Sequence, residues 1–148
     1  LEYSFLGGKQ IRQFSREPKY LTYPRPEMAS RDIQVSPYSV STLVLVEDFR
    51  SALKVSNYVD CLAMGGVHPT DVLLKEIVTG PHDKFIVWLD NDNQAVIAAA
   101  RSLEKRLAAL GKNVVRVPPS TVTMDPKEVP FFTIQRYLDE MNVLLNQV

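Results

Sequence analysis

Two aspartates one residue apart, Asp90 and Asp92, directly follow five consecutive apolar residues, Phe85-Ile86-Val87-Trp88-Leu89. On extended backbone, side chains two apart point to the same side. Carboxylates held that way repel unless a cation lies between them or one takes a proton. A divalent cation is the expected occupant. Glu47 follows a second apolar run, Thr42-Leu43-Val44-Leu45-Val46, and Asp125 follows a third, Val114 to Val117, after a loop. Magnesium takes oxygen ligands in an octahedron and keeps several waters. Three or four carboxylates around one or two such ions can hold phosphates and activate a hydroxyl for in-line attack. Each acid also has a plainer reading. Asp-Xaa-Asp suits a helix cap with a solvated neighbour, Glu47-Asp48 a helix start, and Asp125-Pro126 a turn. The distinguishing question is whether the fold brings them to one place.

The elements predict that it does. Apolar runs at 42–46, 61–64, 85–89 and 113–117 read as strands, the third buried on both faces as in a parallel sheet. Helices are expected at about 48–58, from Pro69 to Thr79, at 93–110 and at 131–145. The second carries Val72, Leu73 and Ile77. The third carries Val96, Ala99, Ala100, Leu103, Leu107 and Leu110 at helical spacing, with Gly111 as its stop. Strand–helix alternation repeated four times implies an α/β domain: about four parallel strands with helices on both faces. All carboxyl ends of a parallel sheet share one edge, where ligands bind. Glu47, Asp90, Asp92 and Asp125 all fall there. Gly65-Gly66 would let backbone approach that edge. His68 is on the same edge, His82 on the surface away from it, and Trp88 in the core.

Residues 1–40 are different. They contain Pro18, Pro24, Pro26 and Pro37 and the cations Lys9, Arg12, Arg16, Lys19 and Arg25. Gly7-Gly8 separates two short segments that would form a hairpin. The prolines beyond it argue against long regular elements. The chain divides into a small basic β-rich extension, 1–40, and a domain at 41–148. Lys9, Arg12, Arg16 and Lys19, with Tyr20 and Tyr23 as aromatic platforms, are candidate contacts to single-stranded nucleic acid. Their plain alternative is a solvated surface. Lys54, on the first helix, is a further candidate for nucleotide contact, with solvent exposure as its alternative.

The totals narrow the classes. With 17 cationic and 17 acidic side chains, any nucleic-acid contact must come from a local patch. The lone Cys61 excludes an internal disulfide, and one Cys with two His gives no zinc spacing. No apolar run approaches the roughly 20 residues of a membrane span. No signal-peptide pattern is present. A first residue of Leu instead of Met suits a piece of a longer chain.

The ordered set Leu43-Val44-Leu45-Val46-Glu47, Gly65-Gly66, Trp88-Leu89-Asp90-Asn91-Asp92 and Asp125-Pro126-Lys127-Glu128 resembles the Toprim family across roughly residues 41–130. That domain is shared by bacterial-type primases, type IA and II topoisomerases and some nucleases. Asp125-Pro126-Lys127-Glu128 is more similar to the primase motif. Asp48 and Ser51 stand where the common primase pattern has Gly and Asp, a departure that resembles phage versions. The resemblance implies Glu47 as general acid/base or metal ligand, Asp90 and Asp92 as metal ligands, and Asp125 as a further one. It implies magnesium or manganese, a single-stranded DNA template, ribonucleotides, and RNA primer synthesis in the cytoplasm of a bacterial host cell. The chain has no zinc-binding module and no Walker motif. Template selection and unwinding would therefore need other domains or a replicative helicase. A Toprim nuclease keeps the same acids. A topoisomerase lacks an assignable tyrosine nucleophile here. A receiver-like phosphoacceptor domain shares the Val-Glu-Asp and Leu-Asp strand ends but wants a Lys after a late strand. A non-catalytic nucleic-acid-binding module is the remaining alternative.

Overall fold

A computed structural model describes residues 41–90, 93–117 and 126–146, together with the backbone of four strands within 2–34. The strand β5 (Thr42–Val46) is buried at every position. Its alternate residues enter different cores. Val44 and Val46 join one cluster, and Leu43 and Leu45 the other. The unbroken apolar run thus means two buried faces, as expected of a central parallel strand.

β5 pairs in parallel with β6 (Asp60–Ala63) on one side and β7 (Lys84–Val87) on the other, and β7 pairs in parallel with β8 (Asn113–Arg116). The helices α1 (Phe49–Val55) and α4 (Phe131–Leu145) pack on the Val44/Val46 face. The helices α2 (Asp71–Thr79) and α3 (Gln94–Ala109) pack on the Leu43/Leu45 face. Ala99, Ala100, Leu103 and Leu107 form the buried stripe of α3, and Gly111 turns the chain at φ 83° into β8. Trp88, fully buried, meets Tyr137 of α4 edge-on at 6.0 Å.

The sheet has a fifth strand that the sequence did not announce. The two-residue β4 (Ile33–Gln34) pairs antiparallel with β6, giving the order β4-β6-β5-β7-β8. It covers what would otherwise be the open edge of β6. Before it, β1 (Glu2–Phe5) and β2 (Gly8–Arg12) form the expected hairpin, and β3 (Tyr20–Pro24) adds a third antiparallel strand. Pro18 and Pro26 flank β3, and Pro24 closes it, a position at a strand end where proline is tolerated.

Three side chains depart from expectation. Val72 is 69% exposed because α2 buries Leu74 and Ile77 instead. Leu110 is 52% exposed because it lies at the C-cap of α3, beyond the buried stripe. His82, expected at the surface, is buried and its Nε2 lies 2.8 Å from Asp60 Oδ2. The sequence hides this pair because its partners are joined only by the β5–β6–β7 crossover. Both sit at the amino edge of the sheet, away from the acids. Among the described residues no helix is long and apolar enough to cross a membrane. His82→Ala, which removes a hydrogen-bond partner of the buried Asp60 carboxylate, is expected to cost about 2 kcal/mol in chemical denaturation.

Candidate functional site

The chain leaves β5, forms α1 and β6, then crosses back over β5 to form β7 on its other side. Strand order therefore reverses between β5 and β7, and in open α/β sheets the crevice at such a reversal binds ligands. Leu45 is in register with Val87, and the Trp88 N–H donates to the Leu45 carbonyl at 3.0 Å. The two backbones stay paired past the strand ends. Glu47, two residues beyond Leu45, and Asp90, three beyond Val87, emerge side by side at the same edge. Both are half-buried.

Neither acid is a helix cap. Asp48 caps α1 by accepting from the Ser51 N–H at 2.8 Å. Asn93 caps α3 by accepting from Val96 N–H at 3.0 Å. The plainer reading of Glu47 and Asp90 as helix starts thus falls to their neighbours. The turn after β6 closes on the same place. Met64 N–H donates to the Val46 carbonyl and Gly65 N–H to the Glu47 carbonyl, at 2.8 and 2.9 Å. Gly65 does so at φ 77°, a conformation glycine adopts without strain. Glu47 is therefore flanked by β7 on one side and by glycine backbone on the other.

Behind Glu47 lies a contact that spacing did not reveal. Asp48 is 1% exposed, and its carboxylate is ion-paired with the Lys127 ammonium, across 79 positions. Lys127 belongs to a 3-10 turn over Pro126–Glu128. Lys54 of α1 donates to the Lys127 carbonyl at 3.3 Å and to the Val129 carbonyl, and its ammonium lies 5.0 Å from the Phe131 ring. The solvent-exposed alternative for Lys54 gives way to a half-buried ammonium engaged within the protein. Burial pushes the Asp48 carboxyl up. The hydrogen bonds from Lys127 and Ser51 and the charge of Lys127 outweigh it and hold the group below its ordinary value. Cys61, fully buried beside these acids, has its thiol pushed well up by burial and is inert.

Asp92 and Asp125 lie outside the described residues, as do Arg16 and Lys19. Lys9 and Arg12 stand on β2, opposite Tyr23 and Tyr20 of β3 in register. Among the described residues no three His, Cys, Asp or Glu side chains converge as a complete metal site. The donors Glu47 and Asp90 nevertheless fit magnesium, which is held by one or two carboxylates with waters and substrate phosphates completing the shell. His68 is exposed on the turn that follows Gly65-Gly66.

The arrangement defines an open α/β domain with an acidic crevice at its strand-order reversal. No family model and no curated protein matches the chain. Among solved structures the fold is similar to the crystal structure of the Aquifex aeolicus primase, zinc-binding and RNA polymerase domains. The TM-score is 0.58 and the identity 21%, over 95% of this chain and 36% of that one. The chain thus spans about a third of that protein's length, and the likeness establishes a shared, primase-like fold.

Because the folded Asp48 carboxyl lies below its unfolded value of about 4, its contribution to stability is complete above that value. It is lost as pH falls through the folded value. In metal-free protein, thermal midpoints measured between about pH 6 and pH 2 should fall on acidification. The fall should be shallower in Asp48→Asn, which keeps the cap without the charge.

Proposed function

We propose that this chain is the catalytic portion of a Toprim-type DNA primase of phage-like kind. It would synthesise RNA primers on single-stranded DNA by magnesium-dependent nucleotidyl transfer. The supporting observation is the emergence of Glu47 and Asp90 from adjacent parallel strands at the reversal of strand order, within a fold shared with a primase. In this reading Glu47, Asp90 and Asp92 hold the cation, with Asp125 as a further ligand. A bound Mg2+ or Mn2+ supplies neutralisation of the triphosphate and a lowered hydroxyl pKa. In this reading Glu47 accepts the proton of the primer 3′ hydroxyl. The hydroxyl oxygen then bonds to the α-phosphorus of the incoming ribonucleotide and pyrophosphate leaves. Gly65 approaches Glu47 through backbone alone, its N–H donating to the Glu47 carbonyl at 2.9 Å. Lys9, Arg12, Arg16 and Lys19 carry the template contact, with Tyr20 and Tyr23 as stacking surfaces. Unwinding falls to a replicative helicase or to further domains.

One observation favours the receiver-like alternative. A lysine from beyond β8, Lys127, does reach the acid pair that follows β5. Against it stands the primase-like fold, matched over 95% of the chain.

The deciding experiment incubates the chain with single-stranded DNA, ribonucleotides and Mg2+ or Mn2+. Primers should form, and an Asp90→Ala/Asp92→Ala variant should lose them by at least about 100-fold. Template degradation without synthesis would indicate a nuclease. Acetyl-phosphate labelling of Asp90 would indicate a receiver.

A further inference from the structure

Resting on the cation site proposed above, we propose that Lys127 and Asp48 form a positioning pair for it, acting through the turn that carries Glu47. Glu47 is fixed from both sides. Its own carbonyl accepts from Gly65 N–H at 2.9 Å, and the next residue, Asp48, has its carboxylate held by Ser51 N–H and the Lys127 ammonium. Lys127 is in turn immobilised, because Lys54 donates to its carbonyl and to that of Val129. The start of α1 and the 126–129 segment are therefore one unit. Asp48 is almost wholly buried while Lys127 keeps 19% of its side chain exposed.

This asymmetry sets the consequence of breaking the pair. A buried carboxylate that loses its counter-charge is costly to keep in place. Asp48 would turn toward water or toward the cation one residue away. Either movement rotates the backbone at Glu47 or adds a competing ligand beside it. Residues that orient metal ligands from behind typically contribute about 10- to 100-fold to metal affinity. The same logic gives Lys127 a role that its distance from Asp90 in sequence conceals.

The test is a double-mutant cycle on Mn2+ affinity, measured by titration calorimetry on the whole chain, with circular dichroism and melting recorded for each variant. Lys127→Met is expected to weaken Mn2+ binding about ten-fold or more, while Lys127→Arg keeps the wild-type affinity. Asp48→Asn, which keeps the cap and removes the buried charge, should lose less than Lys127→Met. The double variant should recover most of the affinity lost in Lys127→Met, because no buried carboxylate is left unpaired. Folded Lys127→Met that binds Mn2+ as tightly as wild type overturns the proposal, as does additivity in the double variant. If Lys127→Met does not fold, Lys127→Gln, which keeps a hydrogen-bond donor without the charge, decides. Wild-type affinity there overturns the pair's role. Mn2+ binding that follows the cycle in a chain that makes no primers removes the primase reading and supports the positioning pair. A wild-type chain that binds no Mn2+ removes both.

Discussion

The parallel pairing of β5 with β7 is the constraint on which the molecule depends. Both strands are buried on two faces, so neither can carry an acid within its length. Charged residues are admitted only where the strands end, and parallel pairing makes both ends coincide. Because the chain visits β6 before returning to β7, helices depart to opposite faces from this pair of strand ends. The gap they leave is the crevice flanked by Glu47 and Asp90. The geometry of this edge is thus a by-product of how the core is closed.

Electrostatics at the rim follows from the same closure. Asp48 turns inward as a helix cap and is buried, which would be unfavourable without Lys127. Glu47 stays half-buried at the crevice. Two adjacent carboxylates are thereby given different environments: one paired with an ammonium inside the protein, the other half-buried at the strand-end crevice. Asp48 and Lys127, 79 positions apart, meet in space.

Much of the fold could be read from residue order. The four parallel strands, their helices, the Gly111 turn and the hairpin at the amino end were all signalled by local runs and spacings. So was the gathering of Glu47 and Asp90 at one edge, because parallel topology alone requires it. β3 and β4 were hidden by the prolines around them, and β4 exists to cover an edge that only the assembled sheet possesses. Val72 misled because an apolar residue on a short helix does not reveal which side faces the sheet.

What the sequence determined by itself was therefore the part governed by short-range periodicity and by the shared polarity of parallel strands: element types, their alternation, and the edge on which acids must lie. What only the tertiary structure decided was which distant polar groups pair with one another. Asp48 with Lys127, Lys54 with the Val129 carbonyl, and His82 with Asp60 are each set by burial beneath the helices and loops that bring them together. No periodicity links residues 79 positions apart. The strength of such a pair comes from the exclusion of water, a property of the packed molecule and not of the chain.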